Sequence, residues 1–467
     1  MTHVIPAWRL GLRDVAPEQL DAPLTVLNGA VPDGLRGTFY RNGPAAHAPG
    51  GMRNNHWFDG DGMVQAFDFT DHGIRHHGRF VATSKHLSER AAGHHVLPAF
   101  DTPVAMTGPP EPNATNPANT SVVPHHGRLL ALCEAGSAFD LDPESLHTTG
   151  PMEWTPDGPG APFSAHPCVE PDGTLWNFGM RQSTGEMLLY EIAPSGTLRR
   201  AEAIPLPDGV PLVHDFAVTQ RRLVFLLPPF VFDDERHMAG HTPLGSHVWR
   251  PDQAMRALVV DKADWSQRQW FELPAGFTFH IGGAWDDGRT VRMDYERFPD
   301  HDIITSWARD IMSGSAVAAT PGEATQVTLD LQNGVARQSC FAISSEFPVI
   351  HPDRVGLRYR FRFSVMSDGV HGHPFQNAMR RIDIETGVQQ TYSFGSHAVT
   401  EEHVVVPKPA WVAEDDAWLV GTVLDLERGA TRLTVFDAAR VNDGPVIDAV
   451  LPYALPLGFH GDFAPVC

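Results

Sequence analysis

The sequence predicts an all-β fold of the propeller kind, and three observations lead there. Turn signals feed short apolar or alternating runs at regular density. Stretches with helical character are few. Glycine and proline, 42 and 40 of 467 residues, are spread along the chain rather than gathered into a linker. The recurring unit reads as a turn followed by a short strand. In chain order the units include HHGRLLALCE (125–134), EPDGTLWNFGM (170–180), SGTLRRAEAI (195–204), TQRRLVFLL (219–227), DDGRTVRMDY (286–295) and EDDAWLVGTVLD (414–425). Strands so spaced make a sandwich, a barrel or a propeller. Radial repetition lets an all-β chain of this length grow without one oversized core. That favours a propeller, with one domain over residues 1–467. No sequence period such as a WD motif accompanies the units. ERAAGHH (89–95) and WARDIMSGSAVAA (307–319) read as helix or loop insertions on one face.

HWFDGDGMVQAFDF (56–69) is a dense local pattern. Asp59 and Asp61 fit the first two alternate positions of a calcium loop, but Met63 at the third offers no oxygen, which argues against calcium. Asp-Gly tolerates the positive φ that tight hairpin turns demand. With strand-like residues on both sides, the stretch predicts a β-hairpin turning at 59–62.

Composition bounds the partners. A net charge of −21 repels phosphate backbones, so nucleic acid is not expected. Four cysteines, Cys133, Cys168, Cys340 and Cys467, form no CxxC pair and are too few to staple the chain. Reduced thiols in a cytoplasm are the expectation. The opening MTHVIPAWRLGLRDVAPEQ lacks the long apolar core of a signal peptide. No apolar run reaches the roughly 20 residues needed to span a bilayer. LVFLLPPFVF (223–232), broken by two prolines, reads either as a buried strand or as a patch for shallow membrane contact. A cytoplasmic protein, peripheral to a membrane if that patch is exposed, is expected.

Familiar catalytic patterns are absent: no P-loop, HExxH, GxSxG or dinucleotide glycine fingerprint. Histidine stands out, with 25 residues. Adjacent pairs such as His76-His77 and His125-His126 would point to opposite faces of a strand and cannot easily share a metal. Four others sit in apolar, strand-like surroundings: His166 in FSAHPCVE, His214 in LVHDFAV, His280 in FTFHIGGAW and His460 in LGFHGDF. Each alone is more simply a core histidine bonded to a backbone carbonyl. Their wide separations make no local metal motif. They would suit a propeller, whose inner strands converge on one axis, but the spacing does not establish that they meet.

VPDGLRGTFYRNGP (31–44) followed by HWFDGDGMVQAFDF resembles the N-terminal pattern of the carotenoid cleavage oxygenase family. KHLSERAAG (85–93), RLLALCEAG (128–136), AHPCVEPDG (165–173), HDFAVT (214–219), EFPVIHPDRVG (346–356), VVVPKPA (404–410) and GFHG (458–461) continue the resemblance in order. The resemblance implies a seven-bladed β-propeller capped by a dome of loops and short helices. It implies Fe(II) held on the axis by His166, His214, His280 and His460, backed by Glu134, Glu346 and Glu402. Of the adjacent Glu401 and Glu402, the latter has the family's spacing to the following Val-Pro. Carboxylates that accept the far ring N–H fix each tautomer and balance the metal's charge. An all-histidine site differs from the two-His-one-carboxylate triad. The implied reaction is oxidative cleavage of one C=C bond by O₂ to two carbonyls, with no organic cofactor. His280 is followed by Gly282, Gly283 and Asp286, where relatives often carry Asn and Glu.

The family acts on isoprenoid polyenes or on phenolic stilbenes and phenylpropenes. The stilbene-cleaving branch has a lysine just before the first glutamate and a tyrosine upstream, both engaging a phenol. Here those positions hold Cys133 and Phe100. A site built to bind a hydroxyl gains its discrimination from such partners. A carotenoid or apocarotenoid is therefore the expected substrate, with a stilbene or phenylpropene as the alternative. Cys133 then serves as a small wall residue. Thr120 lies where the family has a residue whose methyl crowds the sixth iron position. Isomerisation of a retinoid ester is a third use of such a site. A metal-free propeller that only binds a ligand is the reading from a different class.

Overall fold

A computed structural model describes residues 6–106, 108, 110–154, 160–370 and 372–466. Cys467 lies outside them. Seven antiparallel sheets form the blades of a propeller. Blade 2 comprises Ser121–His125, Arg128–Leu132, Phe139–Leu141 and Thr148–Pro151, from the inside outward. Blade 3 runs from Cys168–Val169 through Leu175–Arg181 and Glu186–Ile192 to Leu198–Pro205. Blade 4 has Phe216–Val218, Arg222–Leu227, Met255–Asp261 and Arg268–Leu273. Blade 5 has Ile281–Asp286, Thr290–Arg297, Glu323–Asp330 and Val335–Ile343. Blade 6 has Glu346–Val349, Phe361–Met366, Ala378–Asp383 and Gln389–Ser393. Blade 7 has Ala398–Pro407, Ala417–Asp425, Ala430–Asp437 and Pro445–Val450. The ends of the chain interleave. Thr25–Gly29 adds an outer strand to blade 7, and Gly461–Pro465 supplies the inner strand of blade 1 by pairing with Gly37–Arg41. Blade 1 is completed by Asp61–Thr70, Gly73–Phe80 and Gln19–Pro23.

The six turn-strand units read from the sequence each form a strand. Middle strands are apolar because blades stack on both of their faces; Ala417–Asp425 is buried at every position but the last. Outer strands alternate, as in Gln389–Ser393, because one face meets water. LVFLLPPFVF is buried from Leu223 to Val231. It is core, and offers no surface for membrane contact. Among the described residues no helix is long and apolar enough to cross a membrane.

The DGDG stretch is not a hairpin. Trp57–Asp59 is a single helical turn, and Asp61–Thr70 is a long strand whose hairpin partner is Gly73–Phe80. Gly60 has a φ of −69°, so no left-handed turn exists there. Its glycine answers a different need. A Cβ on Gly60 would lie 2.7 Å from His47 Nδ1, and one on Gly62 would lie 2.2 Å from the Ala118 carbonyl oxygen. The carboxylates serve the fold. Asp59 accepts from the Asp101 N–H and the Thr102 hydroxyl, and Asp61 pairs with buried Lys85 at 2.8 Å.

Between the blades, the 89–95 region belongs to a helix, Ser84–Ala92, capped by the Thr83 side chain and ended by left-handed Gly93. The 307–319 region forms a short helix, Ala308–Ser313. Trp57 and Phe58, of the turn before Asp61–Thr70, pack on Phe459 and Phe279, the neighbours of His460 and His280, and Trp307 and Phe375 pack on Trp57. They cap that end of the axis.

Candidate metal centre

The four histidines enter the axis in the same way. His166, His214, His280 and His460 each stand one or two residues before the inner strand of blades 3, 4, 5 and 1. Blades 6 and 7 present Glu346 and Glu402 from their inner strands, and blade 2 presents Glu134 just past Arg128–Leu132. Every blade thus contributes one of the seven residues.

One ring nitrogen from each histidine lies within 4.8 Å of those of the others. His166 Nε2 is 2.9 Å from His214 Nε2, and His280 Nε2 is 3.1 Å from His460 Nε2. Three far nitrogens meet carboxylates. His214 Nδ1 is 2.5 Å from Glu134 Oε1, His460 Nδ1 is 3.0 Å from Glu402 Oε1, and His280 Nδ1 is bonded to Glu346 Oε2. Among the described residues no carboxylate contacts His166. Its backbone N–H donates to Ser164 Oγ, whose hydroxyl donates to the His214 carbonyl, so the two ligand segments are tied together. Asp215 ties the next pair: it accepts from the Ile281 N–H, beside His280, at 2.7 Å.

Burial decides the charges. It holds His166 and His280 well below the usual imidazole range, with the neighbouring imidazoles adding to the effect. Burial opposes charge on His214 too, but Glu134 prevails and raises it. Burial pushes the Glu346 carboxyl up to about 7. Four Nε2 atoms converge on one point, and a cation at their centre would give each neutral ring an acceptor for its lone pair. Neutral imidazole donors with carboxylates behind three of them fit a divalent transition metal.

The pocket residues are near but differ in what they touch. Thr120 is buried; its carbonyl accepts from the His460 N–H at 3.3 Å and its hydroxyl donates to Asn119 Oδ1. Cys133 is half-buried beside that hydroxyl, and burial pushes its thiol up to about 12. Phe100 stands edge-on to His56 at 5.5 Å, within a cluster that includes Phe230, Phe277 and Phe279. Phe279 in turn lies 5.2 Å from the His214 ring. Sequence reasoning missed Phe347, which stacks on His280 at 5.0 Å and lies 5.1 Å from His460. Its φ of 51° belongs to a bulge that aims Glu346 inward. An apolar residue directly after the glutamate was the only signal for it.

A seven-bladed propeller with four axial histidines, three of them backed by glutamates, is a frame built to hold a metal ion on its axis. The family model described as RPE65, retinal pigment epithelial membrane protein, matches residues 12–465. The chain belongs to this RPE65/carotenoid cleavage oxygenase family. It is 30% identical to an apocarotenoid-15,15'-oxygenase of Synechocystis, over 98% of this chain and 96% of that one. It is 28% identical to lignostilbene-α,β-dioxygenase isozyme III of Sphingomonas paucimobilis, over 94% and 93% of the two chains. Cobalt-substituted apocarotenoid oxygenase of Synechocystis superposes with a TM-score of 0.90 at 27% identity, covering 98% of each chain.

Proposed function

We propose that the protein is an Fe(II)-dependent dioxygenase that cleaves one C=C bond of a carotenoid or apocarotenoid into two carbonyl products. The observation that carries the reading is the meeting of four imidazole nitrogens beside a cluster of phenylalanines that includes Phe100 and Phe279. His166, His214, His280 and His460 hold the iron. Bound iron supplies the site at which O₂ is activated. Glu134, Glu346 and Glu402 keep the proton on Nδ1 of His214, His280 and His460, so that Nε2 of these three presents a lone pair. Phe58, Phe279 and Phe347 exclude water and orient a flat polyene. Thr120 and Cys133 shape the wall beside the ligands. One oxygen atom of O₂ ends in each product, and the alkene supplies the electrons. The ring closed at both chain ends acts as one unit.

The similarity to a lignostilbene dioxygenase supports a second reading, cleavage of stilbenes or phenylpropenes to aromatic aldehydes. Cys133 and Phe100 weigh against it, because neither can bond a phenolic hydroxyl as lysine and tyrosine would. The deciding experiment is product analysis by mass spectrometry under ¹⁸O₂. Iron-loaded protein would meet apocarotenals, full-length carotenoids, hydroxystilbenes and propenyl phenols. Labelled polyene aldehydes are expected. Aromatic aldehydes alone would overturn the substrate, and no cleavage with iron bound would overturn the reaction.

A further inference from the structure

Glu401, the neighbour of Glu402, touches none of the four histidines, yet it is the most fully engaged carboxylate near the axis. It is buried, at 7% exposure. Its Oε1 accepts from the Gly458 N–H at 2.5 Å and pairs with Arg41 at 2.7 Å. Its Oε2 accepts from the Thr422 hydroxyl at 2.7 Å. Arg41 is buried as well, at 4% exposure, and donates from the same nitrogen to the Pro456 carbonyl. Its Nε and Nη1 have no hydrogen-bond partner among the described residues. Burying so large a cation with two donors unused costs stability, offset in part by the Glu401 carboxylate.

What the pair grips is the segment that delivers His460. A Cβ on Gly458 would lie 2.2 Å from Arg41 Nε, so the guanidinium packs directly against the Gly458 backbone, and a side chain there would displace it. Two residues later comes His460, then Gly461, whose N–H donates to Glu402 Oε2 at 2.8 Å. The adjacent glutamates therefore hold the two ends of GFHG: Glu401 at Gly458, Glu402 at His460 and Gly461. Arg41 also ends the strand Gly37–Arg41 and is the register partner of Gly461, where the last strand closes the ring.

We propose that Glu401 and Arg41 are a positioning pair that seats His460 and couples closure of the ring to metal binding. This rests on the metal reading given above. The pair acts through the backbone of 456–461 and contacts neither metal nor substrate. Removing its charge lets Gly458 and Pro456 shift, and the fourth imidazole loses its fixed distance from the other three.

The test is cobalt(II) binding by the whole protein, followed by d–d absorption and by melting with and without metal. For Glu401→Gln, cobalt affinity should fall about tenfold, as for groups that orient a ligand. The tetra-imidazole spectrum should change, and the rise in Tm on adding cobalt should shrink. A purely structural role would lower both melting temperatures equally and leave affinity and spectrum unchanged, which overturns the proposal. Should Glu401→Gln fail to fold, Thr422→Val removes one bond to Glu401 and keeps the charge pair. It should weaken cobalt roughly threefold, the worth of one hydrogen bond, and unchanged binding again overturns the proposal. If the wild-type protein itself binds no cobalt or iron, the metal reading falls, and the pairing with it. Equal tight binding by wild type and variant sinks the pairing alone.

Discussion

Two sets of buried histidines can be compared, one on the axis and one inside the blades. His403 lies in an apolar strand much like that around His280, and is 1% exposed against 7%. Its Nδ1 meets the Glu401 carbonyl and its Nε2 the Thr434 hydroxyl. His76 meets Tyr453 and Gln65. Both nitrogens of such a ring are satisfied by neutral groups, so nothing more can bind. His214, His280 and His460 instead spend Nδ1 on a carboxylate and turn Nε2 toward one another. What separates the axial histidines from the core set is what Nε2 faces, other imidazoles rather than a neutral partner; a carboxylate on Nδ1 does not decide it, since His166 has none and buried His86 has Asp61 at 3.2 Å.

Exchanging members of the two sets breaks the comparison most sharply. His280→Ala should drop metal occupancy and cleavage to background while circular dichroism stays that of the wild type. His76→Ala should do the reverse. It leaves the Tyr453 hydroxyl and Gln65 without partners, at about 3 kcal/mol of stability, but retains stoichiometric iron. Metal analysis beside urea unfolding reads both. A His280→Ala protein that keeps its iron would refute the ligand assignment.

The carboxylates offer a graded version of the same test. Glu346→Gln and Glu402→Gln should weaken metal binding on the order of 10–100-fold. Glu134→Gln should weaken it as much, because the Glu134 oxygen that faces His214 at 2.5 Å is buried even though the side chain as a whole is 36% exposed against 10% and 12% for the others. Competition with a chromophoric chelator gives the three losses. A much smaller loss at Glu134 would mean that water reaches the oxygen facing His214.

The blade histidines also set an acid limit. Burial lowers His76 to about 3, and His403 and His247 to about 4. In the unfolded chain each titrates near 6.5. The folded values are the lower ones, so their contribution to stability is complete above pH 6.5 and is lost as pH falls toward 4. By pH 5 each of them removes about 2 kcal/mol. Urea unfolding of metal-free protein at pH 7.5, 6 and 5 should follow that slope, and His76→Gln should flatten it by one proton. A slope that His76→Gln leaves unchanged would place the acid sensitivity elsewhere.

Much of the blade pattern could be read from the sequence because turns and alternation are local. RLLALCE and AWLVGTVLD are strands by their own composition. The closing strands are different: Thr25–Gly29 is exposed at every position, and GDFAP has no alternation. Their partners decide them. The DGDG glycines misled for a related reason. Glycine serves positive φ and close approach alike, and a sequence does not say which is needed. The histidines were chosen by resemblance, since HIGG and HVVV look alike as strands. Glu402 was preferred to Glu401 on its spacing to the following Val-Pro, and nothing local marked Glu401, whose partner Arg41 lies 360 residues away in the chain.

The smallest expected effect applies the partner criterion to the thiols. Cys133 sits beside Thr120 and Glu134, and burial and the Glu134 charge push its thiol up to about 12. Cys340 is exposed on the outer strand of blade 5. The thiolate is the species that reacts. At pH 8, alkylation followed by peptide mapping should therefore label Cys340 at least about a hundredfold faster than Cys133. Slow labelling of Cys133 would fit a wall residue. Rapid labelling would mean that the wall beside Glu134 opens to solvent, and the dry aromatic chamber on which the polyene assignment depends would be lost with it.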